Sequence, residues 1–159
     1  MLHTYVAIAK PMAWVAEVEA EEPAASLRHL AMEFEGWDPA LTALITDGET
    51  PPVFRPIHAL PIGHRWNRVP GVTLLGDAAH LMAPAGDGAN LAMVDGAELG
   101  EAIAAYPDNL EAALAAYEQK LFPRSAEAAR GSMEVLDVCL GNGAPDSLVR
   151  FLDGNKAAR

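Results

Sequence analysis

Residues 72–99 read VTLLGDAAHLMAPAGDGANLAMVDGAEL: a short apolar run, a tight glycine exit, a Pro/Gly loop and a long helical pattern. The run at 72–75 predicts a buried strand leading straight into Gly76-Asp77. A carboxylate just past a strand end sits where open α/β sheets bind ligands, and Asp77 there can accept hydrogen bonds from a polyol or ribose hydroxyl. Gly86 and Gly88 flank Asp87 at the next helix start and leave the backbone bare on one side. Exposed N–H groups with a helix dipole behind them suit an electron-rich or anionic group. The helical pattern then runs from about Gly88 to Ala105 and stops at Pro107.

Downstream, Asp108 is placed to cap a helix whose stripe is Leu110, Ala113, Leu114, Tyr117 and Leu121. A further helix is expected from about Pro123 to Leu140, ending at Gly141-Asn142-Gly143, with a last turn or two over 145–152 and a fraying tail. Upstream, residues 3–9 and 12–19 read as two short strands around a Lys10-Pro11 turn. The second alternates Glu17 and Glu19 outward against Ala16 and Val18 inward. Pro23 opens a helix with Leu27, Leu30, Ala31 and Phe34 on one face and Gly36 as its stop. Asp38-Pro39 starts another, with Leu41, Leu44 and Ile45 on one face and Gly48 after its end. Pro51-Pro52 breaks the chain before an expected strand at 53–60, and Pro56 inside it points to an edge strand or bulge.

The central stretch resembles the Gly-Asp segment of the FAD-dependent aromatic-ring monooxygenases that include p-hydroxybenzoate hydroxylase and the tetracycline-inactivating enzymes. The match extends softly from about Val53 to Leu121. The resemblance implies that Gly76-Asp77 holds the ribityl chain of FAD and that Pro84 lies near the reactive edge of the isoalloxazine. It further implies that Gly86, Gly88, Ala89 and Asn90 form the helix start whose amides face the flavin pyrimidine, and that Asp95 supports the helix rather than touching flavin. Two departures stand out: Ala83-Pro84-Ala85 is a lean loop, and Asp87 stands where many members carry Gln or Lys. A negative side chain facing a reduced flavin costs energy, so Asp87 is expected to turn away and cap the helix.

The family also opens with a strand, Gly-x-Gly-x-x-Gly and a helix that clamp the FAD pyrophosphate. The 159 residues contain no such triplet, and Asp47-Gly48 and Asp95-Gly96 sit in the wrong context for the family's second Asp-Gly motif. The expectation is therefore the C-terminal part of such an enzyme, with an α/β fold. Residues 1–60 would give a partial substrate-domain sheet with helices, and residues 61–159 the C-terminal part of the FAD-binding domain with terminal helices. The complete enzyme would use NAD(P)H and O₂ to hydroxylate an aromatic or polycyclic small molecule. The chain alone would bind FAD weakly or not at all, and would need an N-terminal half. A different class of reading is a non-catalytic remnant whose sheet edge and apolar face mediate self-association or protein binding.

Composition narrows the partners. The formal charge is −11, with 22 acidic residues against 11 scattered basic ones, which argues against nucleic acid because phosphate binding needs clustered Lys and Arg. No stretch approaches the roughly 20 apolar residues of a membrane helix. Cys139 is the single cysteine, so no internal disulfide can form and a cytoplasmic home is expected; its apolar surroundings suggest an inert core thiol. His80 reads as a packing or capping residue rather than a base, and no catalytic side chain is expected. His3, His29, His58 and His64 lack metal-ligand spacing. Trp14, Trp37 and Trp66 read as core or lid aromatics, with a substrate-cavity lining as the alternative for Tyr5 and Trp14. Glu98, Glu101 and Glu111 read as solvated helix faces.

Overall fold

A computed structural model describes residues 3–48 and 50–157. It divides into two units, Met1–Pro56 and Ile57–Arg159. The first carries α1 (Met12–Glu19), α2 (Pro23–Met32) and α3 (Pro39–Thr46), with α1 against α2 and α2 against α3.

The expected α/β fold is not found: the described residues contain helices and no strand, only an isolated bridge between Val69 and Val72. Residues 3–9 carry no regular structure, and 12–19 form a helix instead of a strand. The reason is partnership. A strand satisfies its backbone only along a neighbour, whereas a helix closes its own hydrogen bonds. The sequence MAWVAEVE supplies Met, Ala and Glu, which favour helix, and buries Val18 with Trp14 and Val15 half-buried on the same side. Ala16, which the alternating pattern places inward, is exposed. The stretches at 53–60 and 72–75 likewise have strand-like sequence and no neighbouring strand among the described residues.

Helices α2 and α3 follow the sequence. Pro23 occupies the first turn of α2, Leu30 is buried, and Gly36 adopts φ +86° after the helix ends. The Asp38 carboxylate accepts from the Ala40 N–H at 2.8 Å and caps α3, which buries Ile45 but leaves Leu41 and Leu44 exposed. Trp14 meets His29 edge-on at 5.5 Å, and Trp37 meets Phe34 at 5.1 Å.

The second unit carries α4 (Asp77–His80), α5 (Gly88–Ala105), α6 (Leu110–Leu140) and α7 (Asp146–Ala157). Asn109, rather than Asp108, caps α6 by accepting from the Ala112 N–H at 3.0 Å. Pro123 does not start a new helix; it lies inside one continuous helix of 31 residues. The C-terminal helix is longer than a turn or two, and the tail beyond Ala157 lies outside the described residues. Packing of α5 on α6 forms the core, where Ala79, Tyr117 and Leu121 meet Trp66, Leu74, Leu99 and Ala102. Cys139 is exposed, contrary to the core position expected of it. Among the described residues no helix is long and apolar enough to cross a membrane.

Candidate functional site

Gly76 begins the site. Its φ of +58° and ψ of −141° are open to glycine and strained for other residues, and a Cβ built there would lie 3.3 Å from the Ala92 side chain on α5. The turn is therefore both left-handed and pressed against a helix. Its carbonyl accepts from the Ala79 and His80 amides at 2.9 and 3.0 Å, which closes the single turn of α4. Asp77, the first residue of that turn, is exposed, while His80 at its end is buried.

Asp95 holds this turn from α5. The residue is fully buried, and one carboxylate oxygen accepts from the Gly76 N–H at 2.8 Å and from His80 Nε2 at 2.6 Å. The other oxygen accepts from Arg124 Nη2 of α6 at 2.7 Å, and Arg124 also pairs with Glu98. Burial pushes the Asp95 carboxyl pKa up, but the Gly76 N–H, His80 and Arg124 outweigh it and hold the pKa below the ordinary carboxylate value. Burial likewise disfavours the Arg124 charge, and Glu98 and Asp95 more than restore it. With Asp95 ionised, His80 Nε2 carries the proton of the shared bond. All three nitrogen donors to this carboxylate, from Gly76, His80 and Arg124, are thus engaged in holding the turn against α5 and α6.

The loop after α4 is pinned at one point. Ala83 is buried, and its carbonyl accepts from Ser132 Oγ at 2.7 Å. Pro84, Ala85, Gly86 and Asp87 are exposed, with Gly86 at φ +98°. Asp87 occupies the cap position of α5, but its side chain makes no capping bond; its carbonyl accepts from the Leu91 N–H at 2.9 Å. The expected side-chain cap is therefore not made. Gly88, Ala89 and Asn90 form the first turn of α5, whose N–H groups have no acceptor within the helix. A Cβ at Gly88 would meet nothing within 4 Å. Asn90 is two residues from Ala92, about 3 Å of helix rise. The contact of Gly76 with Ala92 and Asp95 thus ties the Asp77 turn to the N-terminal half of α5.

Helix α6 braces the whole stretch. Glu111, Glu118, Ser125 and Ser132 recur every seven residues and fall on one side. Glu111 accepts from the Gly71 N–H at 2.6 Å and pairs with Arg68. Glu118 is buried and accepts from Trp66 Nε1 at 3.1 Å, Thr73 Oγ at 2.8 Å and Arg68 at 3.2 Å. Tyr117 adds a hydrogen bond from its hydroxyl to the Leu74 carbonyl at 3.1 Å. Burial raises the Tyr117 pKa, so it stays a donor. Glu98 and Glu111 are therefore not simply solvated faces, and Glu118, Arg124 and Ser132 are supporting residues that the sequence reading missed. For Glu118 and Ser132 the available signal was their place in the seven-residue series; Arg124 lies outside it.

Residues 62–132 match the model of the FAD-binding domain family, which covers this entire arrangement from the loop before Trp66 to Ser132. The segment is thus similar to FAD-binding domains. More particularly, the chain is similar to FAD-dependent monooxygenases, as the Gly76–Asn90 motif implied. It is 36% identical over 88 residues to Monooxygenase penA of Penicillium thymicola, covering 48% of this chain and 20% of that protein. It is 40% identical over 78 residues to an FAD-dependent monooxygenase of Beauveria bassiana, covering 48% and 18%. It is 38% identical over 102 residues to an FAD-dependent urate hydroxylase of Mycolicibacterium vanbaalenii, covering 62% and 25%. The matched region thus spans a quarter or less of these relatives' own length.

Proposed function

We propose that this chain supplies the ribityl- and pyrimidine-contacting part of the FAD site of a monooxygenase. The observation that supports the reading is the seating of Gly76 on Ala92 and Asp95, which ties the turn opened by the exposed Asp77 to the helix that starts at Gly88. These residues fit the group. Asp77 offers an acceptor for ribityl hydroxyls, and Gly88, Ala89 and Asn90 offer N–H donors for the flavin carbonyls. The bare backbone at Gly86 and Gly88 lets a planar ring approach, and Pro84 is exposed on the intervening loop.

Bound FAD would supply electron transfer and activation of O₂, with NAD(P)H as the source of electrons. The residues on this chain bind, orient and polarise; none is required as a nucleophile or base. The substrate class supported by the family resemblance is an aromatic or polycyclic small molecule. The pyrophosphate clamp would come from a segment carrying Gly-x-Gly-x-x-Gly, which also offers a partner for the strand-like stretch at 72–75.

Titration of the purified chain with FAD tests this reading. Weak binding or none is expected alone, and binding with a flavin absorbance shift on adding a segment with the glycine triplet. A tight yellow complex of the chain by itself would refute the claim that this half-site is insufficient. Unchanged binding by an Asp77→Asn variant in the combined system would refute the ribityl assignment. The exposure of Val69 (55%), Val72 (51%) and Leu75 (42%) favours a second reading, self-association through this stretch. Sedimentation across a concentration series distinguishes it: a monomer throughout counts against it.

A further inference from the structure

We propose that Asp95 is a positioning residue for flavin: it reads no part of the cofactor itself, but sets the backbone turn from which Asp77 is presented. This rests on the ribityl assignment of Asp77 given above. The argument is geometric. Gly76 lies in a conformation that the local chain does not select unaided, between a stretch with no strand partner and a helix of one turn. A four-residue helix is too short to hold itself, because nucleation fixes several residues for few hydrogen bonds. Something outside the turn must hold it.

Ala79 packs on Tyr117 and Leu121 of α6, and Asp95 supplies the hydrogen bonds, at both ends of the turn. A single oxygen accepts from the Gly76 N–H before Asp77 and from His80 Nε2 after it. Asp77 is thus suspended between two anchors on one carboxylate oxygen. The carboxylate is itself oriented by Arg124, whose second nitrogen is tied to Glu98 one helical turn further along α5. A side chain that only packed the helix would not need this direction. The buried charge is matched to three donors, and two of them belong to the turn that carries the candidate ligand. Because Asp95 lies on the same helix whose N-terminal amides face the pyrimidine end, one helix would register both contacts against each other.

The experiment follows backbone amides of the full chain by NMR during titration with FMN, a soluble ribityl-isoalloxazine probe usable at millimolar concentration. Asp95→Ala, the milder Asp95→Asn and Asp77→Asn are compared. In the unaltered chain the Gly76 amide should resonate far downfield and exchange slowly, as a donor to a buried carboxylate does. In Asp95→Ala it should move upfield and exchange at least about tenfold faster, while amides remote from Asp95 and Arg124, at 102–105 of α5 and 112–117 of α6, keep their positions. FMN affinity should fall about tenfold in both Asp95→Ala and Asp77→Asn. Asp95→Asn, which keeps an acceptor oxygen, should lie between, and it carries the test if Asp95→Ala does not fold. An unmoved Gly76 amide overturns the proposal. So does weakened FMN binding in Asp77→Asn with unchanged binding in the Asp95 variants, and in that case the flavin reading stands. Where the chain alone shows no shift the titration is repeated with the glycine-triplet segment added, and no flavin-induced shift in any protein even then removes the flavin reading and this proposal together.

Discussion

Gly76 and Asp95 show how much a single position can determine here. At Gly76 a methyl group would face both an unfavourable backbone region and the Ala92 side chain 3.3 Å away. Gly76→Ala is expected to destabilise the second unit by about 1–3 kcal/mol, measured as a shifted urea midpoint with unchanged slope. Asp95 makes a pH prediction. Its folded pKa is depressed, so its contribution is fully present above the unfolded value of about 3.9 and is lost as pH falls through the folded pKa. Urea midpoints taken between pH 7 and pH 3 should therefore fall more steeply at the acid end for the unaltered chain than for Asp95→Asn. Equal acid slopes would show that Asp95 is not a depressed carboxylate in the fold. Gly76 and Asp95 were both visible in the sequence as part of a motif. The partner of Asp95 was not, since Arg124 lies 29 residues away and nothing local points to it.

At the scale of elements, α6 carries the support and also a defect. Pro123 cannot donate to the carbonyl of Gln119, and its ring crowds that turn. Pro123→Ala is expected to raise stability by about 1–3 kcal/mol, seen as a higher thermal midpoint, because the proline is exposed and no packing is lost. A lower midpoint would mean that the proline shapes the helix for its contacts with Arg124 and Ser125. Helices α2, α3 and α5 were legible because prolines or glycines at their ends and apolar spacing within them agree, with the Asp38 cap added at α3. The bounds of α5, Gly88–Ala105, coincide with the sequence expectation. The strands were misread for a definite reason. Alternation describes which face a strand would bury, but it does not supply the neighbouring strand, and for 12–19 the same residues bury Val18 equally well as a helix.

The whole molecule is two units with a boundary at Pro56 and Ile57, in a stretch without regular secondary structure. Thermolysin, which cuts before large apolar residues, is expected to cleave first within 53–57, where Val53 and Ile57 are exposed. The product from Ile57 onward should persist, and first cleavage inside α5 or α6 would contradict the division. The sequence by itself carried the likeness to FAD-dependent monooxygenases, because the glycines, the proline, Asp77 and the α5 start that make up the resemblance lie in one local stretch. It also determined most helix ends, which depend on caps within a few residues. Only the tertiary structure decided what holds Gly76 in place and that α6 braces residues 71–83. Those contacts join residues far apart in sequence, and their geometry follows from how α5 and α6 pack. The same is true of the missing sheet: strand pairing is a property of two segments, and one segment's pattern cannot establish it.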